Sequence, residues 1–273
     1  MKFQRLMRSE FVKFKSTRSF FVLLGAFLVM MWLVAFLLAL GIAFMIALGT
    51  SVNGSVVAVT PKLVQTFLIS DTFWMVFLVL FGITVMAGEY RHNTVSMSLL
   101  LVPKRWQLLI TKAVTSFLLG AVVMLIGVLG SLMIWFSMGK KSYSTWNTWI
   151  KAIFSSRVGL EVLILILAAG LLGVIGVGLG SLITNQLGAT VLVLAWWFII
   201  ENIISAIPRT APAGKWLPYH AFMSFIGAGN LFGNSTHSTI FSFLPQWDGA
   251  LVLFGYAVVF LSAGLFVVTH KDV

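Results

Sequence analysis

Cysteine is absent from this 273-residue chain, which removes disulfides, thiolate nucleophiles and cysteine-held metal without assigning a redox compartment. Acid is scarce too. Asp and Glu number 7, and charged residues make up 9% of the chain against about a quarter in soluble proteins. With 60% of residues hydrophobic, the composition is that of an integral membrane protein, and crossing lipid uses so much of the length that no separate catalytic domain fits.

Other chemistries lack their signatures. The four histidines, His92, His220, His237 and His270, are dispersed, and none forms the i, i+4 pair with glutamate of a zinc hydrolase, so no metal site is expected. No Gly-x-Ser-x-Gly elbow occurs, and no serine has an evident base and acid partner. "GLLGVIGVGLG" (Gly170 to Gly180) lacks the Lys-Ser/Thr ending of a phosphate loop and lies in an apolar run. Its Gly176 and Gly180 carry the spacing that lets helix backbones approach closely.

What is present is positive charge and long apolar runs. The net charge is +11, and Lys2, Arg5, Arg8, Lys13, Lys15 and Arg18 precede the first run. This pattern fits anionic lipid and retention on the inner side of a membrane better than nucleic acid. Phe3, Leu6, Met7, Phe11 and Phe14 recur at helical spacing among those cations, which predicts an amphipathic interfacial helix over residues 1–19.

A helix rises about 1.5 Å per residue through a hydrocarbon core of about 30 Å, so about 20 apolar residues make a span. Six segments qualify: 20–48, 67–87, 108–138, 160–183, 187–207 and 250–269. The first is too long for a cleaved signal core and reads as a retained span. Thr184, Asn185 and Gln186 alone join the fourth to the fifth, which predicts a tight antiparallel hairpin. An even count with a basic amino end puts both termini in the cytoplasm. Pro208, Pro212, Pro218 and Pro245 break 208–249 into an outer cap of short, re-entrant helices. The whole is one all-α transmembrane domain over residues 1–273.

Acids inside a membrane mark ion pathways or paired sites, because a carboxylate in lipid is costly unless it is paired or wet. Asp71, Glu161 and Glu201 are the candidates. Asp71 and Glu161 lie near predicted span ends, whereas Glu201 and the adjacent Asn202 are read as weak candidates for lining an outer vestibule on a substrate path.

Between the second and third spans lies "GEYRHNTVSMSLLLVPKRWQLLITK", a charged elbow over 88–107 running into span 3. Asn93 and Thr94 suit a helix start, Pro103 ends the short apolar helix, and Lys104, Arg105 and Trp106 sit at headgroup level. Lys13, Arg18, Trp106 and Lys112 are the membrane-interface candidates.

In order and spacing, Glu89, Thr94, Pro103, Arg105 and Lys112 resemble type-2 ABC transporter permeases, which carry Glu after span 2, Gly-Thr about five residues on, a Pro with a following Arg, and a Lys opening span 3. "SEFVKFKSTRSFF", with Glu10, Lys13 and Arg18, is similar to the family's entry helix, and "THKDV" to its close. Asn93 stands where Gly is usual, and Lys104 adds a charge between Pro and Arg. The resemblance implies a permease subunit in a bacterial plasma membrane, exporting a hydrophobic or amphipathic peptide, drug or lipid, with no enzymatic activity of its own. It implies a coupling helix made by Glu89, Arg91, Asn93, Thr94, Pro103, Lys104 and Arg105, docked on separate ABC ATPase subunits that hold ATP and Mg. A second permease subunit, identical or related, completes the assembly; no cofactor is expected in this chain. The rival readings are an ATP-independent secondary transporter or channel, and a non-transporting immunity or sensor subunit.

Overall fold

Thr17 alone separates α1 (Phe3–Ser16) from α2 (Arg18–Ala47), so the amino-terminal helix turns directly into the first long apolar one. The computed structural model describes residues 3–47, 61–70, 74–91, 105–142, 146–207, 211–229 and 243–270, and every regular element among them is helical. After α2 come α3 (Pro61–Ser70), α4 (Val76–Arg91), α5 (Arg105–Ser142), α6 (Trp146–Ile153) and α7 (Ser156–Leu182). Next are α8 (Gln186–Ala195), a π-helical turn (Trp196–Ile200), α9 (Glu201–Ala206), α10 (Ala211–Gly214), α11 (Pro218–Phe225) and α12 (Gln246–His270).

Among the described residues, five helical segments are long and apolar enough to cross a membrane: Arg18–Gly41, Trp106–Ser137, Ser156–Leu182, Gln186–Ala206 and Gln246–His270. This is a multi-pass membrane architecture. Hydropathy gave six spans; in the one at 67–87, residues 71–73, Asp71 among them, lie outside the described residues, with α3 before them and α4 after. At 16 residues, α4 is about 24 Å long at about 1.5 Å per residue, shorter than the hydrocarbon core. It is enclosed instead: Val76 and every residue from Leu78 to Ala87 are buried. A helix walled by protein has no need to match the lipid thickness, and an all-round apolar surface is what such burial requires.

The hub is α7, against which α4, α5 and α12 all pack. Its glycines explain how three helices fit. A methyl group on Gly173 would lie 2.9 Å from the Ser116 carbonyl oxygen of α5, and one on Gly180 would lie 2.8 Å from that of Ile83 in α4. On Gly176 it would collide with the carbonyl oxygen of Val79, and on Gly178 it would come within 2.7 Å of the backbone of Phe260 in α12. Small residues on different faces of one helix thus bring backbones into contact on three sides, as the Gly176 and Gly180 spacing predicted.

The three-residue link 183–185 is present, with Asn185 capping α8 by accepting from the amides of Leu187 and Gly188. The hairpin, however, is splayed: α8 packs chiefly on α4 and only slightly on α7. With the surface of α7 already taken by three helices, the return helix leans on the next exposed wall. Gln186 fixes it there, its Nε2 donating to Thr84 Oγ1 over 3.4 Å while Arg91 donates to its Oε1.

Short helices α10 and α11 follow α9, and Gly227 takes the left-handed φ of 76° that ends α11.

Candidate functional site

Among the described residues, two polar clusters and an apolar groove stand out from the helical packing. The first cluster joins α1, the last turn of α4 and the second turn of α5. Leu6, Glu10 and Phe14 form the buried stripe of α1, so the inward face predicted as apolar carries a carboxylate at its centre, while Phe11 is 40% exposed. Leu6 packs on Leu108, and Phe14 meets Phe20 edge-on at 4.8 Å and Phe81 at 5.7 Å. These contacts seat α1 so that Glu10 reaches inward.

There Lys112 Nζ donates to Glu10 Oε2 at 2.9 Å, to Glu89 Oε1 at 2.8 Å and to the Val85 carbonyl at 3.3 Å. Lys13 closes the ring from the solvent side, donating to Glu10 Oε1 at 3.0 Å and Glu89 Oε1 at 2.8 Å. Two cations and two carboxylates balance. Burial alone would raise the Glu10 carboxyl, but Lys112 and Lys13 outweigh it and hold the group below the usual carboxylate range. Burial likewise opposes the charge on Lys13, and Glu10 with Glu89 reverses this, leaving the ammonium above its ordinary value. Chemically the cluster is an ionic rivet through three helices, with Glu10 and Lys13 on α1, Glu89 on α4 and Lys112 on α5.

Of the elbow residues, Glu89 is buried in this cluster and Arg91 is exposed at the end of α4. Asn93, Thr94, Pro103 and Lys104 lie outside the described residues, and Arg105 is the first residue of α5. Arg18 is exposed at the start of α2, and Trp106 is exposed at the start of α5. Lys112, read as an interface residue, is enclosed with 1% of its side chain exposed, because Glu10 and Glu89 give it partners that headgroups would otherwise supply.

The second cluster joins the π-helical turn, α9 and α11. Glu201 is wholly buried and its carboxylate is saturated: the Trp196 indole donates at 2.6 Å, the amide of Tyr219 at 3.0 Å to both oxygens, and that of His220 at 3.3 Å. Because Pro218 opens α11 without an amide hydrogen, Glu201 meets the next two amides and acts as a cap supplied from a distant helix. Burial and this carboxylate push the Tyr219 phenol up to about 12. His220 Nδ1 is 3.2 Å from Glu201 Oε2, a carboxylate oxygen that accepts from it, and Nε2 is 3.2 Å from Ser205 Oγ.

Sequence spacing gave no hint that Ser205 had base and acid partners, since Glu201, one turn back in α9, reaches it only through His220, 15 residues on in α11. The hydroxyl is nonetheless enclosed. A methyl group on Gly214 would lie 2.6 Å from Ser205 Oγ, so α10 closes directly over it. The arrangement is a clasp between α9 and α11. Asn202 donates to the carbonyls of Trp197 and Phe198, satisfying backbone acceptors loosened by the π-helical turn. Both residues read from the sequence as vestibule candidates are thus occupied by internal bonds.

Between α5, α7 and α12 lies an open groove of about 330 Å³ with a wholly apolar lining that includes Phe117, Val174 and Phe254. No protein-family model and no curated protein matches this sequence.

Proposed function

We propose that this chain is the membrane-spanning permease subunit of an ATP-driven exporter for hydrophobic or amphipathic substrates, paired with a second permease subunit and driven by separate ABC ATPase subunits. The observation that carries the reading is the ring of Glu10, Lys13, Glu89 and Lys112. Glu89 and Lys112 flank the elbow on either side, and Glu10 and Lys13 bring α1 to the same point. A push on the elbow therefore reaches α1, α4 and α5 together rather than being absorbed by one of them.

From there the path into the bundle is stiff. Both α4 and α5 touch α7 backbone to backbone, where no side chain can yield. The apolar groove on α5, α7 and α12 gives a hydrophobic cargo a surface whose shape depends on those same helices. Four of the residues in the type-2 ABC permease pattern, Glu10, Lys13, Glu89 and Lys112, meet in the ring.

The test is efflux of a lipophilic dye from cells or vesicles carrying the chain with its cognate ATPase, compared with an ATPase made hydrolysis-deficient. Export is expected to stop with hydrolysis, and Arg91→Glu with Arg105→Glu to weaken co-purification of the ATPase. Dye efflux that survives ATP depletion and collapses with a protonophore would replace this reading by an ATP-independent transporter.

A further inference from the structure

At the end of the bundle remote from the ionic ring, one buried carboxyl has not been accounted for. Glu161 lies in the second turn of α7 and is 3% exposed. Gln65 on α3 donates its Nε2 to Oε2 at 2.9 Å, and Oε1, equally buried, meets no donor among the described residues. Among the described side chains, the neighbouring elements bring no counter-charge to it. Lys62 on α3, Lys151 on α6 and Arg157 on α7 are all exposed, and among the described residues none is ion-paired with Glu161. The charged side chains of α4, Glu89 and Arg91, are at that helix's opposite end.

We propose that Glu161 is a proton-binding site, at which the neutral carboxyl pairs with the Gln65 carboxamide and holds α3 against the start of α7. An ionised carboxylate buried without a cation loses its hydration and receives in return one hydrogen bond from a neutral amide, which does not offset that loss. A neutral acid carries no such charge. It also matches a primary amide in both directions: the amide N–H donates to the acid carbonyl, and the acid O–H donates to the amide oxygen. A carboxylate has only acceptors and leaves the amide oxygen facing it unfavourably.

The contrast with the other acids supports the assignment. Glu10 and Glu89 share two lysines, and Glu201 takes donors from an indole, two backbone amides and an imidazole. Each of these has the partners that a negative charge demands. Glu161 alone among the four receives a single donor among the described residues, and that donor is uncharged. Release of its proton would place an unbalanced charge beneath α3, so proton occupancy and the seating of α3 are linked. The proposal stands apart from the transport reading and is measured without transport.

Full-length protein in liposomes at neutral pH is treated with dicyclohexylcarbodiimide, which modifies protonated carboxyls in apolar surroundings, and the adduct is mapped by peptide mass spectrometry. The expected result is modification at Glu161 and not at exposed Asp248, lost in Glu161→Gln, together with loss of a protonated carboxyl band in the infrared spectrum of that variant. Glu161→Gln keeps the shape of the neutral acid, so an unchanged size-exclusion profile is expected. Gln65→Leu keeps the modification but moves the band toward that of an unbonded acid. An unmodified Glu161 with no protonated band overturns the proposal, and so does protection by sodium, which would mark a metal-cation site. A band unmoved in Gln65→Leu overturns the pairing.

Discussion

Lys112 Nζ sits 2.8 Å from Glu89 Oε1 with 1% of the lysine side chain exposed, so a cation inside α5 is neutralised by the carboxylate that ends α4. Removing one member of a buried ion pair is worse than removing all of it, since the remaining charge keeps its desolvation penalty. Lys112→Met is therefore expected to destabilise the protein by about 3–5 kcal/mol. Adding Glu10→Gln and Glu89→Gln to Lys112→Met should restore part of that loss. Thermal unfolding in detergent checks both, and equal losses in the single and triple variants would show that packing, not charge, dominates.

The same cluster fixes a pH window for the docking of α1. Glu10 is held below its ordinary value by Lys112 and Lys13 against the opposing effect of burial, so its contribution is present above the normal carboxylate range and is lost as pH falls through its lowered value. Lys13 is raised, so its contribution is present below the normal lysine range and vanishes only in strong alkali. Across neutral pH the ring is intact. Because the chain has no cysteine, a single Phe11→Cys variant carries one label, whose mobility should rise in acid below the ordinary carboxylate range and stay flat through neutrality.

How much of this was readable beforehand depends on whether the cause was local. The period of Leu6 and Phe14 gives α1, and the apolar runs give α2, α5, α7 and α12 within a few residues, because helix and lipid thickness act on contiguous sequence. Asn185 as a cap and the glycine spacing of α7 were legible for the same reason. Glu10 was not, since its value lies in Lys112, 102 positions away. Nor was the enclosure of α4: an apolar run reads alike whether lipid or protein surrounds it. The clasp of Glu201 escaped because its donors are backbone amides of α11, and every residue type has one.

Glycine substitutions separate close packing from mere small size. A methyl group on Gly176 meets the Val79 carbonyl and, at 2.9 Å, the Cα of Gly82, neither of which can turn aside, so Gly176→Ala should cost at least about 1–3 kcal/mol. Gly25 in α2 has nothing within 4 Å of the same position, and Gly25→Ala should stabilise by up to about 1 kcal/mol through helix propensity. Denaturation of the two variants side by side tests whether α4 and α7 touch as described.

The clasp at Glu201 predicts an unequal dependence on its members. Glu201→Ala strands the Trp196 indole N–H and the amides of Tyr219 and His220, one buried and two half-buried donors at up to about 1–3 kcal/mol each when unpaired, although relaxation of the short helix α11 recovers some of this. A loss of at least about 3 kcal/mol is the expected outcome. Ser205→Ala removes one hydroxyl that makes a single hydrogen bond to His220 Nε2, and should cost about 1 kcal/mol. The difference is measurable as protease sensitivity at Lys215, which follows α10 and becomes accessible when α11 detaches: cleavage should accelerate strongly in Glu201→Ala and little in Ser205→Ala. If the serine variant were cleaved as fast as the glutamate variant, the hydroxyl rather than the carboxylate would be the centre of the clasp, and the capping of α11 by a residue of α9 would have to be abandoned.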